Sequence, residues 1–173
     1  MKKIQASFVS YSVNKRSRKD VKYIVIHNTG NKGDTAVNNG DYFAHGNVRE
    51  AGAHFFIDQK GEVVKSVNLD RAAFSVGGKK YSDCQVTGGG KLYGVVTNAN
   101  SVSIELCDII DRDPSEEMMK AIWRTIKYIR KYCPNAQSIV RHLDVNGKHC
   151  PQRMMDEEKW NAFQLRLLKE AMK

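Results

Sequence analysis

An α/β domain, with a central mixed β-sheet flanked by helices, is the fold class this sequence predicts, and three features predict it. Short β-branched runs at residues 23–27, 102–107 and 138–141 read as strands. Two longer stretches, through Met119, Ile122, Ile126 and Ile129 and through Trp160, Phe163, Leu167 and Leu168, repeat apolar residues at helical spacing. The chain has 173 residues, enough for one well-buried core and few for two, and no repeat or linker divides it. Residues 1–173 are therefore expected to form a single domain.

Each element follows from local chemistry. Tyr23-Ile24-Val25-Ile26 is a buried strand that delivers His27 to a polar loop, Asn28-Thr29-Gly30-Asn31. Asp34 or Thr35 caps a helix expected to reach about His45, with Val37, Tyr42 and Ala44 inward and Gly46 as its stop; His45 near its end complements the dipole. Phe55-Phe56-Ile57 and Glu62-Val63-Val64-Lys65 flank a turn in which Gly61 supplies positive φ. Residues 77–100, rich in Gly and Asn, read as a long loop. Strict alternation then puts Val102, Ile104 and Leu106 on one strand face and Ser103, Glu105 and Cys107 on the other. Asp113 as N-cap, Pro114 and Glu116 start a helix to about Tyr132, which Pro134 ends. A strand at 138–141 leads into His142, and Asp156 opens the last helix.

Composition narrows the function classes. Lys and Arg number 28 against 19 Asp and Glu, a formal +9, which favours anionic partners such as nucleic acid, acidic wall polymers or a membrane surface. The densest run, Lys15-Arg16-Ser17-Arg18-Lys19, reads as a solvated face because no aromatic residue is interleaved for base stacking. The start, Met1-Lys2-Lys3-Ile4-Gln5-Ala6-Ser7, contains no continuous apolar stretch, and no membrane span appears later. Synthesis in the cytoplasm without a signal peptide is expected, so Cys84, Cys107, Cys133 and Cys150 are expected as free or metal-bound thiols.

The segment Arg141-His142-Leu143-Asp144-Val145-Asn146-Gly147-Lys148-His149-Cys150-Pro151, together with His27, carries the chemistry. Two imidazoles and a thiolate suit a tetrahedral Zn²⁺ and leave a fourth position open. Taken singly, each also reads as a partly buried histidine or an inert core thiol. His149 is read as a loop residue rather than a ligand, since consecutive side chains of an extended segment diverge. Cys84 and Cys107 lack ligand partners at recognisable spacing.

Four ordered motifs, residues 24–29, 53–58, 100–107 and 141–151, resemble the zinc-dependent N-acetylmuramoyl-L-alanine amidases of phage endolysins and bacterial autolysins, whose fold is shared with peptidoglycan recognition proteins. The resemblance runs from about Val21 to the end of the chain. It implies one Zn²⁺ per chain held by His27, His142 and Cys150 in a surface groove, Glu105 as the catalytic glutamate, and Lys148 at the reacting carbonyl. His54 matches a position near the site, where a substrate contact or a hydrogen-bonded structural histidine both fit. The implied substrate is peptidoglycan, cut between N-acetylmuramic acid and L-alanine.

These residue types suit the chemistry: zinc polarises a carbonyl and acidifies water, a carboxylate moves protons, and a lysine stabilises an oxyanion. The chain departs from the family pattern at Ala53, where some relatives carry a catalytic tyrosine, and at Ser75, where many carry a histidine. No separate wall-binding domain is expected, nor binding to nucleic acid; anionic wall polymers are expected partners through net charge, after holin-type release or lysis. The competing readings are a non-catalytic peptidoglycan-binding protein of the same fold and a basic nucleic-acid-binding protein with a structural zinc, for which a fourth protein ligand would be needed.

Overall fold

Alternation in the strands divides the molecule into an apolar side and a polar side. The computed structural model describes Met1–Lys173. Its strands are β1 (Lys2–Lys3), β2 (Tyr23–Asn28), β3 (Phe55–Ile57), β4 (Val63–Lys65), β5 (Ser101–Leu106) and β6 (Ser138–Arg141). They form one six-stranded sheet in the order β1-β4-β3-β5-β2-β6. The β3–β4 pair is antiparallel and every other pair parallel, so the sheet is mixed as expected. The helices are α1 (Ala36–Asp41), α2 (Cys84–Thr87), α3 (Glu116–Tyr132), α4 (His142–Asn146) and α5 (Glu157–Ala171).

One sheet face buries Ile24, Ile26, Phe55, Ile57, Val102, Ile104 and Leu106 against α3 and α5 in a cluster of 23 buried residues. Each such side chain stabilises the fold by about 1.5–3 kcal/mol relative to leaving it exposed. The opposite face has only small apolar clusters, such as Val25 with Val76, Val96 and Val145. Most of the apolar burial therefore comes from the α3/α5 side, and the other side is free to carry buried polar groups. His27, His54, Ser103 and His142 are all buried.

Several boundaries differ from the sequence expectations. The first helix has Thr35 as its cap, whose side chain accepts from Asn38 N–H, and gives way at Tyr42 to a wider turn ending at Gly46. Ala36, Asn39 and Gly40 face inward there, while Tyr42 is exposed, because α1 lies against β4 closely enough that a Cβ on Gly40 would stand 2.8 Å from Val64. The long helix is capped by Ser115, whose hydroxyl accepts from Met118 N–H at 3.0 Å, and not by Asp113. Leu168 is 59% exposed, one residue past Leu167 and so rotated off the stripe Trp160, Phe163, Leu167 that packs inward. Residues 77–100 are less irregular than expected, since α2 and a short helical turn at Asn98–Asn100 lie within them. All four cysteines are free thiols.

The basic run at residues 15–19 is not wholly solvated. Arg16 turns inward, donating from Nη1 to the carbonyls of Asn98 (2.7 Å), Ala99 (2.9 Å) and Ser101 (2.8 Å) and from Nε to Leu69 (3.2 Å). Burial lowers its pKa to about 10. It ties the N-terminal segment to the start of β5 and stands beside His54.

His54 is fully buried and lines neither stretch of the groove described below, which favours its reading as a hydrogen-bonded structural histidine over that of a substrate contact. Ser103 N–H donates to His54 Nδ1 at 3.1 Å, and Nε2 stands 3.0 Å from both the Arg71 carbonyl and the Arg16 guanidinium. A proton on Nδ1 would oppose that amide donor. Burial first, and then the Arg16 charge, lower its pKa from 6.5 to about 3.

Between those two pH values the unfolded chain binds a proton that the folded chain excludes, so stability falls as pH falls from about 6.5 towards 3. Denaturant melts of chelator-treated protein at pH 7 and pH 5 are expected to show this loss, and His54→Gln to be weaker at pH 7 but less pH-dependent. An unchanged pH slope in the variant would refute the assignment.

Candidate metal centre

Register brings the candidate residues together. Parallel pairing sets His27 opposite Glu105 and Ile26 opposite Arg141, so His142, the next residue, emerges beside His27. His27 and Glu105 point to the sheet face away from α3, as Val25 and Ser103 do. All three positions lie at the C-terminal ends of parallel strands, where open α/β sheets commonly place ligands. The His27 and His142 rings stand 4.5 Å apart, centroid to centroid. Cys150 returns to them because Leu143 N–H donates to its carbonyl at 2.8 Å, closing the loop after α4.

One ligating atom from each of His27, His142 and Cys150 lies within 4.8 Å of the others, and all three residues are buried. His27 Nε2 and both ring nitrogens of His142 have no hydrogen-bond partner. Orphaned buried polar atoms cost roughly 1–3 kcal/mol each, so their convergence is what a cation site requires. Both imidazoles are kept neutral: burial, then Lys148, lowers His142 to about 3, and burial, then His142 and Lys148, hold His27 well below 6.5. Neutral imidazoles are the form that binds metal. Burial and the nearby Glu105 push Cys150 up to about 12, opposed by the Asn28 N–H that donates to its sulfur at 3.4 Å and by Lys148. A bound cation would favour the thiolate. The residues therefore fit a metal ion with N₂S ligation.

Glu105 Oε1 lies 3.9 Å from His27 Nδ1, beyond hydrogen-bond range, and Oε2 has no partner. Burial raises its pKa from 4.5 to about 7, with Lys148 pulling the other way. Lys148 is exposed and lines the same groove as His27, Glu105 and Cys150, and its charge bears on all three and on His142. His149 turns outward to Asp83, 2.6 Å away, and does not join the cluster. Cys107 is buried beside Asn39 and Cys84 packs on the Asn146 carbonyl; neither is among the three grouped residues.

His27, Glu105, Lys148 and Cys150 line a groove of about 630 Å³. A second stretch of about 680 Å³, lined by His142 and Lys148, shares Glu50, Ala51, Phe74 and Ser75 with the first, so the two are continuous. Ser75, where the sequence departs from the family pattern, lies at their junction.

Two supports escaped the sequence reading. Asn146 is buried and bridges the Gly77 carbonyl (3.3 Å) and Lys148 N–H (3.1 Å), fixing the turn that presents Lys148. Gly147 must be glycine: its φ is 88°, and a Cβ would meet Cys84 Sγ at 2.2 Å. The Asn-Gly pair was the available signal. Arg141 is the other. Its guanidinium meets Asp144 at 2.7 Å and Glu157 at 2.5 Å and donates to the carbonyls of Met154 and Met155, fastening α4 to the start of α5.

Comparison with known proteins shows the family and the fold. Residues 17–153 match the family model described as N-acetylmuramoyl-L-alanine amidase. The chain is 26% identical over 174 residues to the N-acetylmuramoyl-L-alanine amidase XlyB of Bacillus subtilis (strain 168), covering 98% of this chain and 49% of that protein. It is 30% identical over 138 residues to the N-acetylmuramoyl-L-alanine amidase CwlL of Bacillus licheniformis, covering 76% of this chain and 36% of that one. The chain thus spans about half or less of the length of these relatives. Among solved structures, PlyL superposes with a TM-score of 0.72 at 22% identity, covering 96% of each chain. The catalytic domain of XlyA gives 0.69 at 20% identity, covering 96% of this chain and 97% of that one. At such identities the likeness is one of fold.

Because Arg141 holds the element that carries His142, Arg141→Met is expected to lower the melting temperature and weaken metal affinity by roughly 10–100-fold. Calorimetric metal titration checks this, and unchanged affinity with unchanged stability would contradict it.

Proposed function

The chain belongs to the N-acetylmuramoyl-L-alanine amidase family, and from that membership we propose that it hydrolyses the amide joining N-acetylmuramic acid to L-alanine in peptidoglycan, with one Zn²⁺ held by His27, His142 and Cys150. The observation that carries the reading is the convergence of three buried ligating residues, whose imidazole nitrogens His27 Nε2 and His142 Nδ1 and Nε2 have no protein partner, beside a largely buried carboxylate in an open groove. With His149 turned to Asp83, no further histidine or cysteine joins the three grouped residues, which favours a site open to substrate over a closed structural zinc.

Bound Zn²⁺ supplies Lewis-acid polarisation of the amide carbonyl and lowers the pKa of water at the site. The chain's own groups do the rest. Glu105, ionised, accepts the proton of the attacking water and returns it to the nitrogen of L-alanine as the C–N bond breaks. Burial suits it to both acts, because a carboxylate whose pKa is raised towards neutrality is a stronger base towards water and, once protonated, still holds its proton near neutral pH until the leaving nitrogen takes it. Lys148, held by the Asn146–Gly147 turn, places positive charge where the carbonyl oxygen becomes an oxyanion. With Ala53 in the tyrosine position, proton transfer falls to Glu105.

Digestion of purified walls is expected to release new L-alanine amino termini without new reducing sugar ends, to stop with chelator and to resume with about one equivalent of zinc. Glu105→Gln is expected to lower the rate by roughly 10²–10⁴-fold with zinc retained, whereas unchanged release would sink the general-base role.

The pH profile gives an independent check. Glu105 must be ionised to accept a proton, so activity is lost on the acid side. Its pKa is about 7 in the metal-free protein, and a bound cation shifts the limb lower. Lys148 lowers that pKa as well, so Lys148→Met is expected to move the limb to higher pH. An unmoved limb would show that Lys148 does not face Glu105 in the working enzyme.

A further inference from the structure

The positive charge of the chain is unevenly placed. On α3, Lys120, Arg124, Lys127 and Lys131 are all exposed and follow at intervals of four, three and four residues. At about 3.6 residues per turn and ~1.5 Å rise, that spacing keeps four cations within roughly 60° of arc along about 16 Å of the helix. Glu117 stands 4.0 Å from Lys120, and Glu116 is engaged by Arg166; no carboxylate pairs with Arg124, Lys127 or Lys131.

Other elements add to the stripe. The Arg18 guanidinium lies 5.8 Å from the centroid of the Tyr132 ring and the Lys131 ammonium 5.7 Å from the same ring. The adjoining Tyr128 ring, 4.9 Å from Tyr132, carries Lys65 at 5.6 Å. Crowding like charges around two rings raises self-repulsion, which a scattered distribution of the same net charge would avoid.

We propose that this face of α3, with Arg18 and Lys65 beside it, is a binding surface for a flexible polyanion whose charges are phosphodiesters, of the kind covalently interwoven with a peptidoglycan mesh. The setting rests on the amidase reading; the binding itself does not. The stripe lies on the sheet side opposite His27 and Glu105, so the surface can hold polymer while the groove holds substrate. A nucleic acid fits less well, because the Tyr128 and Tyr132 rings are already engaged by cations and are not open platforms for bases. A membrane surface fits less well too: Tyr132 is the one large apolar residue exposed on α3, leaving no aliphatic face to insert.

The test compares two variants of the zinc-loaded protein that lose the same net charge. One carries Lys120→Gln, Arg124→Gln, Lys127→Gln and Lys131→Gln; the other carries Lys60→Gln, Lys91→Gln, Lys159→Gln and Lys169→Gln, all at exposed positions. The probe is immobilised poly(glycerol phosphate), with single-stranded DNA and anionic vesicles as parallel arms. The stripe variant is expected to bind the polymer on the order of tenfold or more weakly, with its log–log salt slope reduced by about 3. The scattered variant is expected to stay within about twofold, and both to cleave soluble muropeptides like the wild type. Equal loss in the two variants would reduce the effect to net charge and overturn the proposal, as would undiminished polymer binding. Loss confined to the DNA or vesicle arm would overturn the assigned occupant. A wild type that binds polymer but cleaves no muropeptide would refute the amidase reading and leave the surface standing.

Discussion

The parallel pairing of β2 between β5 and β6 is the constraint on which the site depends. Because partners in register share a face, His27 and Glu105 meet across one ladder, and the residue after β6 is delivered next to His27 across the other. A one-residue slip would send His27 to the apolar side and Ile26 to the groove. The 23-residue cluster on the far face forbids that slip, since Ile24 and Ile26 would both have to leave it. Packing on one side of the sheet thus fixes chemistry on the other.

The polar side bears the cost. Two neutral imidazoles, a thiol held far from ionisation and an unpartnered carboxylate oxygen are buried together. Such a group is poorly stabilised by protein alone, and a cation answers several of its deficits at once: it accepts the orphaned lone pairs and favours the thiolate. It also lowers the proton affinity of Glu105. The supports are spread over the chain. Arg141 locks α4 to α5, Asn146 and Gly147 shape the turn under Lys148, and the Asn28 amide faces the Cys150 sulfur. Their separation in sequence explains why the site needs the whole fold to form.

Much of the fold and of the cluster was legible in the sequence, for identifiable reasons. Strict alternation in residues 102–107 fixed the facing of Glu105, and the β-branched run before His27 fixed its place at a strand exit. What was hidden depended on tertiary partners. Arg16 read as a surface cation because nothing local signals the three carbonyls that converge on it from residues 98–101. His54 read as near the groove because the family resemblance places it there; its orientation is set by Ser103 and Arg71, from two other segments. Tyr42 and Leu168 followed an ideal helical period, which the wider turn at Tyr42–Gly46 and the limited width of the α5 contact do not honour. The α3 stripe was visible as spacing, but its lack of counter-charges and the approach of Arg18 were not.

The arrangement stands or falls with the identity of the ligands. X-ray absorption at the zinc edge of the loaded protein, alone and as Cys150→Ser, measures them most directly. One sulfur at about 2.3 Å with imidazole nitrogens at about 2.0–2.1 Å, and loss of the sulfur shell in the variant, is the expected result. A shell with two sulfurs, or one unchanged by Cys150→Ser, would contradict the His27, His142, Cys150 centre.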